Sequence, residues 1–163
     1  MKIHILTISA PGAGASQAGP YVEKVVLHHY PQAEVSCAET GNGPEQIRDA
    51  LARQAGADFI ITLGGIGITA GEVAPEVTQQ YCERLLPGIA EMLRSESYKH
   101  SPYASLSRGT AGIRGSTIIV NIPGSLKAAL FCTRLLIPLI GYCPKMLRGE
   151  VHDSYEPATS ARI

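Results

Sequence analysis

Residues 57–63 form a nearly continuous apolar segment that leads directly into the glycine-rich turn Gly64-Gly65-Ile66-Gly67. Such a segment is typical of a strand buried on both faces, as in a parallel sheet that helices cover on both sides. Strand-like and helix-like segments also alternate along the rest of the chain, which is the pattern of a sheet built by helical crossovers. The sequence therefore predicts an α/β fold with a parallel sheet.

The same hydrophobic patterns predict where the individual elements lie. Strands are predicted at residues 3–9, 33–37, 57–63 and 117–121. Helices are predicted at residues 21–30, 44–53, 75–86, 89–94 and 126–141, and Pro138 should kink or stop the last of them. Residues 95–108 are predicted to form a loop.

The length and charge of the chain limit its class. A chain of 163 residues is typical of one domain, and we expect that domain at residues 1–150 with a C-terminal extension at residues 151–163. Fourteen Lys and Arg balance 14 Asp and Glu, so there is no overall positive field to attract nucleic acid or anionic lipid, although a local basic patch stays open. No apolar stretch approaches the ~20 residues of a membrane helix. We therefore expect neither a nucleic-acid partner nor a membrane.

The first residues and the cysteines bear on the cellular compartment. The apolar run that begins the chain is broken early by Pro11 and Gly12, which is too soon for a signal peptide. The four cysteines are irregularly spaced, with no Cys-x-x-Cys pair and no histidine at metal-ligand spacing. These features predict a cytoplasmic protein with reduced thiols.

Two predicted strands end in glycine loops, one at residues 64–67 and the other at Pro123-Gly124-Ser125. Glycine at a strand-to-helix turn exposes backbone N–H groups, and the following helix N-terminus adds partial positive charge, so an anion such as phosphate is favoured. Either loop alone is equally well explained as a tight turn. Two such loops together favour a phosphate-bearing ligand, although neither matches a Walker loop or a dinucleotide fingerprint.

Several motifs, in this order and at this spacing, resemble the Mog and MoaB-type molybdopterin-binding family. They are Thr62-Leu63-Gly64-Gly65-Ile66-Gly67, Glu72-Val73-Ala74-Pro75-Glu76, Leu86-Pro87-Gly88, Leu106-Ser107-Arg108 with Ala111-Gly112-Ile113, and Asn121-Ile122-Pro123-Gly124-Ser125-Leu126-Lys127. The resemblance covers nearly the whole chain. It implies a three-layer α/β/α fold with a mainly parallel sheet, commonly trimeric. It also implies an activity, the adenylylation of molybdopterin by Mg-ATP with release of pyrophosphate.

The resemblance also implies site residues. The positions implied to bind molybdopterin or nucleotide are Ser9, Gly64, Gly65, Ile66, Gly67, Ser107, Arg108, Gly112, Asn121, Pro123, Gly124, Ser125 and Lys127. The positions implied to hold Mg²⁺ and to act in catalysis are Glu72 and Asn42.

The chain departs from the family pattern mainly by losing carboxylates and hydroxyls. The changed positions are Ala10 and Ser16 for acidic residues, Asn42 for an acidic residue, Ile66 and Ala74 for hydroxyl residues, and Glu72 for Asp. The matches in the second half of the chain are more complete. We therefore expect recognition of the pterin phosphate, with Arg108 and Lys127, to be kept more fully than activation of ATP.

Simpler interpretations of these residues remain open. Glu72 also suits the start of a helix, Asn42 a turn or N-cap, and Ser9 the turn after a strand. A lysine in the first turn of a helix, such as Lys127, is electrostatically disfavoured unless an anion is near, which supports a ligand role. At the level of function, the alternatives are a molybdopterin carrier that does not turn over ATP and a scaffold that uses the fold only for assembly.

Overall fold

In the computed structural model, which describes residues 1–10 and 17–151, helices cover both faces of a single sheet. The strands of the described chain are β1 (Lys2–Ser9), β2 (Glu34–Gly41), β3 (Phe59–Leu63), β4 (Arg84–Leu85), β5 (Ala111–Arg114) and β6 (Thr117–Ile122). The helices are α1 (Ala18–His29), α2 (Pro44–Arg53), α3 (Ala74–Tyr81), α4 (Pro87–Tyr98) and α5 (Leu126–Leu147), with a short 3₁₀ helix at Pro102–Leu106.

The sheet has the strand order β2-β1-β3-β6-β5-β4. The pairs β1–β2, β1–β3 and β3–β6 are parallel, whereas β5 runs antiparallel to both β6 and β4. In the β3–β6 register Leu63 lies beside Ile122. The two central strands therefore end level with each other, and the loops that follow them leave the same edge of the sheet.

Alternate residues of the strands enter two separate apolar layers, as a period of two requires. In β1, Ile3 and Ile5 pack on the side of α1, α4 and α5, whereas Leu6 and Ile8 pack on the side of α2 and α3. In β3, Phe59 and Ile60 divide in the same way. The predicted three-layer α/β/α architecture with a mainly parallel sheet is thus confirmed.

Residues 81–88 differ from the prediction. The helix predicted at residues 75–86 ends at Tyr81, because the next residues pair with β5: the N–H of Glu83 donates to Ile113 O at 2.8 Å, and the N–H of Leu86 donates to Ala111 O at 2.8 Å. The prediction missed β5 itself, since Gly112 interrupts its apolar pattern. Glycine at this position allows Cys82 to pack closely on β5, because a Cβ on Gly112 would lie only 2.7 Å from Cys82 Sγ.

Both C-terminal helices are longer than predicted. Helix α4 extends to Tyr98, into the segment predicted as a loop. Helix α5 continues through Pro138 and Pro144 to Leu147, whereas the prediction ended it at about residue 141, with Pro138 kinking or stopping its last turn. Tertiary packing outweighs the loss of the proline N–H, because Ile140 is fully buried and the Tyr30 hydroxyl donates to Ile137 O at 2.6 Å.

By length and composition alone, α5 would be able to cross a membrane, with a mean hydropathy of 1.5 over its most apolar window. The expectation that no segment approaches this length was therefore wrong. In this structure Ala129, Cys132, Leu136 and Ile140 of α5 are buried in the apolar core, while only 28% of the most apolar window of the helix is buried. Helices of this kind in water-soluble proteins pass the same composition test.

Candidate functional site

The two glycine turns pack main chain against main chain. A Cβ on Gly124 would lie 3.1 Å from the Cα of Gly64, and a Cβ on Gly64 would lie 2.7 Å from Ile8 O. Gly64 and Gly65 have φ angles of 94° and 70°, in the left-handed region that favours glycine. The turns after β3 and β6 therefore form one surface.

Beside this surface lies an open cavity of about 1130 Å³. It is bounded by residues 66–72, by α4, by residues 100–109 and by the first half of α5. The predicted site residues that line it are Ile66, Gly67, Glu72, Ser107, Asn121, Pro123, Ser125 and Lys127. The predicted site residues outside its lining are Ser9, Asn42, Gly64, Gly65, Arg108, Gly112 and Gly124.

Glu72 lies at the rim of this cavity and is held by Thr69. Its Oε2 accepts hydrogen bonds from the Thr69 hydroxyl at 2.5 Å and from the Thr69 N–H at 3.3 Å. The hydroxyl bond, supported by the N–H groups of Thr69 and Gly67 and by the charge of Arg108, lowers the pKa of Glu72 below its ordinary value, against the effect of burial. Glu72 is therefore a carboxylate at neutral pH.

Asn42 lies next to the same loop. Its Nδ2 donates to Gly71 O at 3.2 Å, so the side chain of Asn42 adjoins the residue that precedes Glu72. Within residues 1–10 and 17–151 no three His, Cys, Asp or Glu residues are grouped as a metal site. A carboxylate oxygen and an amide oxygen are both of the type that Mg²⁺ takes as ligands, and Mg²⁺ commonly keeps several waters beside one or two protein ligands.

Arg108, the residue predicted to contact the pterin phosphate, makes three side-chain contacts with protein oxygens. Its Nε donates to Gly67 O at 2.7 Å, Nη2 donates to Glu72 O, and Nη1 pairs with the carboxylate of Glu76. Its own N–H donates to Ile66 O at 2.9 Å. Arg108 thus binds the loop beside the cavity rather than facing the cavity itself.

Asn121 supports the site from below. It is 2% exposed, and its Nδ2 donates to the hydroxyls of Thr62 and Thr78, each at 2.8 Å. Its Oδ1 accepts from the Thr110 N–H at 3.3 Å. Both amide protons are therefore used on protein partners, and Asn121 ties β3, α3 and β6 together under the cavity.

The first turn of α5 brings a cation to the cavity. Ser125 takes the N-cap position with an extended backbone and makes no capping hydrogen bond with its side chain. Lys127, two residues later, is exposed and lines the cavity. No ion pair of Lys127 is found among the described residues. A positive charge at this helix terminus is unfavourable by itself and becomes favourable when an anion binds there.

Sequence reasoning missed Phe131 and Arg134 on α5. They follow Lys127 by four and seven residues, a spacing that places all three on one face of the helix and would have identified them. Phe131 packs edge-to-face on His100 with ring centroids 4.8 Å apart. The side chains that line the cavity here are those of Lys127, Phe131, Arg134 and His100. The cavity therefore has a polar end at the glycine turns and a more apolar end with aromatic rings.

Arg94 on α4 was also missed, and no sequence pattern indicates it. Its Nη1 donates to Gly109 O at 2.8 Å and approaches Ser107 O at 3.5 Å. This arginine holds residues 107–109 in place along the cavity wall.

Two serines named in the sequence analysis remain, the predicted ligand-binding residue Ser9 and the changed position Ser16. Ser9 ends β1 and lies beside Gly41 of β2. Ser16, one of the changed acidic positions, lies outside the described residues.

Known proteins resemble this chain in sequence over the region that builds the cavity. Residues 20–142 match the family described as "Probable molybdopterin binding domain". A molybdopterin adenylyltransferase of Helicobacter pylori (strain 26695) is 39% identical over 93 residues, which are 57% of this chain and 53% of that protein, so the chain spans about half the length of this curated relative. The molybdopterin adenylyltransferase of Escherichia coli (strain K12) is 33% identical over 137 residues, covering 72% of this chain and 70% of that protein.

Solved structures resemble it over nearly the whole fold. A molybdopterin biosynthesis protein from Mycobacterium abscessus superposes with a TM-score of 0.82 at 31% identity, covering 92% of this chain and 98% of its own. The molybdopterin biosynthesis enzyme MoaB from Thermus thermophilus superposes with a TM-score of 0.80 at 33% identity, covering 91% and 96%. The resemblance read from the sequence motifs is confirmed, and the chain belongs to the Mog and MoaB-type molybdopterin-binding family.

Proposed function

We propose that this protein acts in molybdenum cofactor biosynthesis by binding molybdopterin in the cavity beside the two glycine turns and adenylylating it with Mg-ATP. The observation that carries the proposal is the packing of Gly64 against Gly124, which brings the first turn of α5, with Lys127, to the loop that holds Glu72. Lys127 and the carboxylate of Glu72 thus border one cavity. Similarity to proteins named molybdopterin adenylyltransferases supports molybdopterin and ATP as the substrates.

The size and lining of the cavity support a large, phosphorylated ligand. Pockets for single drug-sized ligands have volumes of about 300–1,000 Å³, and this cavity reaches about 1130 Å³. Its polar end suits phosphates, whereas Phe131, Tyr103 and Leu106 suit a flat ring system. A pterin and a nucleotide together need both environments.

In the proposed reaction a phosphate oxygen of molybdopterin attacks the α-phosphorus of ATP. A new P–O bond forms, the bond between the α- and β-phosphates breaks, and pyrophosphate leaves with the bonding electrons. Lys127 and the backbone at the start of α5 reduce the repulsion between the two anionic substrates and hold them in line. Glu72 and Asn42 would hold Mg²⁺, which would neutralise charge on the ATP phosphates.

The partners and the location of the protein follow from this proposal. Its small-molecule partners are molybdopterin and ATP, and we propose a homotrimer in the cytoplasm that needs neither nucleic acid nor membrane. Light scattering of the purified protein tests the trimer. Sedimentation of cell lysates tests whether the protein stays in the supernatant or pellets with the membranes, as it would if α5 crossed a membrane.

A second candidate is a molybdopterin carrier that does not turn over ATP. Asn42 favours it, because this residue replaces an acidic position of the family and brings no charge to the metal site. Incubation with molybdopterin, ATP and Mg²⁺ separates the two functions. Pyrophosphate release that requires all three supports the transferase, whereas pterin binding without release supports the carrier.

A further inference from the structure

The guanidinium of Arg108 bridges both ends of the loop 67–72. At the start of the loop it donates to Gly67 O at 2.7 Å, and at the end it donates to Glu72 O. Its remaining terminal nitrogen pairs with Glu76 in the first turn of α3. One side chain therefore fixes the distance between the two ends of this loop.

Inside the loop, further hydrogen bonds fix the side chain of Glu72. The Glu72 N–H donates to Thr69 O at 3.2 Å, and the Glu72 carboxylate accepts from the Thr69 N–H and hydroxyl. Asn42 donates to Gly71 O. With the ends held by Arg108, this network leaves the Glu72 carboxylate at one place on the cavity rim.

The guanidinium of Arg108 is engaged by the protein itself. Each of its three nitrogens is bonded to a protein oxygen, the charge of Glu76 offsets its own, and the side chain is not among those that line the cavity. A planar guanidinium can make these three bonds in one orientation, whereas a lysine ammonium has a single nitrogen and cannot bond to all three oxygens in the same way.

We infer that Arg108 and Glu76 form a positioning pair that holds the loop 67–72, and with it the Glu72 carboxylate, for Mg²⁺-bound nucleotide, and that Arg108 makes no contact with the ligand phosphates. The inference rests on the proposed function, because it assigns Glu72 to Mg²⁺. Glu76 acts by orienting the guanidinium, so loss of either partner has the same consequence.

The test compares Arg108→Lys and Glu76→Gln with the wild type in calorimetric titrations of ATP at several Mg²⁺ concentrations. We expect both variants to raise the half-saturating Mg²⁺ concentration about tenfold, as expected when a charge-assisted hydrogen bond is lost. Binding of ATP without Mg²⁺ should stay within about twofold of wild type, and the double variant should be no weaker than either single variant.

Glu83→Gln is the matched control, because it breaks the ion pair between Arg114 and Glu83, at 3.7 Å, away from the loop. It should leave the Mg²⁺ dependence unchanged. If Arg108→Lys weakens ATP binding without Mg²⁺ while Glu76→Gln does not, Arg108 contacts phosphate and the inference is overturned. A lower melting temperature in both variants with an unchanged Mg²⁺ dependence also overturns it, because the pair is then only structural.

Hydrogen exchange separates failure of this inference from failure of the proposed function. If the wild type binds no Mg-ATP, the proposed function is wrong, but the pair can still be tested by amide exchange at residues 67–72. Exchange there should be faster in Arg108→Lys and Glu76→Gln than in Glu83→Gln, with β3 amides unchanged. Equal exchange in all three variants contradicts the pair.

Discussion

Gly124 packs directly on Gly64, so that a Cβ added to Gly124 would lie 3.1 Å from the Cα and 3.4 Å from the N of Gly64. The Gly64 N–H donates to Ile122 O at 3.0 Å, which completes the contact between the two turns. These two residues bring the ends of β3 and β6 together, and the position of α5 beside the cavity depends on their contact.

Gly124→Ala should therefore destabilise the protein and distort the cavity. Inserting a methyl group into a packed contact costs about 1–3 kcal/mol, which urea unfolding followed by circular dichroism can measure. Gly88→Ala, in helix α4, is the control, because a Cβ there meets nothing within 4 Å. It should leave stability unchanged or raise it by up to about 1 kcal/mol. Equal stability of the two variants would show that the turns do not need the close approach.

Asn121→Ala should be among the most destabilising polar substitutions in the chain. It removes the partners of two buried threonine hydroxyls and of the Thr110 N–H, and each unsatisfied buried group costs about 1–3 kcal/mol. Asn42→Ala, at an exposed amide with one bond to Gly71 O, is the comparison and should cost less than about 1 kcal/mol. A similar loss of thermal stability in both variants would mean that the buried hydrogen bonds of Asn121 do not contribute more to stability than the one bond of Asn42.

The stabilising effect of the Glu72 carboxylate should depend on pH. The folded-state pKa of Glu72 lies below its ordinary value of 4.5, chiefly because of the Thr69 hydroxyl. The contribution of the carboxylate is therefore present above pH 4.5 and disappears as the pH falls through the lower folded-state pKa. Solvent screening keeps it small, below about 1 kcal/mol.

Urea unfolding of the wild type and Thr69→Val from pH 7 to pH 3 measures this effect. The stability difference between them should narrow below about pH 4.5. A difference that stays constant over the whole range would mean that the Thr69 hydroxyl does not favour the ionised form of Glu72.

Cys37 should react slowly with alkylating reagents although it is exposed. Burial of the thiol group, together with the charge and hydrogen-bonding oxygen of Glu23, raises the pKa of Cys37 to about 11, and only the thiolate reacts. Glu23→Gln should lower this pKa and speed iodoacetamide labelling at pH 8 several-fold, as measured by mass spectrometry of the Cys37 peptide. An unchanged rate in Glu23→Gln would show that the carboxylate does not control the thiol.

Local chemistry explains which elements could be predicted from the sequence. The apolar residues of β3 are buried on both faces, and Pro44 begins α2 where the pattern placed it, with the side chain of Gln46 accepting from the Gly43 N–H at 3.3 Å. Both depend on residues close in sequence. Strand β4 and the second half of α5 depend instead on partners far along the chain, β5 and Tyr30, which no local pattern reveals.

The site shows the same division. The motifs that predicted the glycine turns identified residues that do lie together, such as Gly64 and Gly124. They could not show that the Arg108 side chain pairs with Glu76. Side-chain direction depends on which carbonyl and carboxylate oxygens the fold brings near, and this is decided only when the loops assemble.

Calorimetric binding of molybdopterin to the wild type, Lys127→Gln and Arg53→Gln tests most directly whether the cavity beside the glycine turns holds the phosphorylated ligand. Arg53 is also an exposed cation and lines a cleft at the opposite edge of the sheet. Its replacement by Gln changes the net charge by the same amount as that of Lys127. We expect Lys127→Gln to weaken binding at least about tenfold and Arg53→Gln to leave it unchanged. Equal affinity of both variants and the wild type would mean that the phosphorylated ligand does not bind beside the glycine turns.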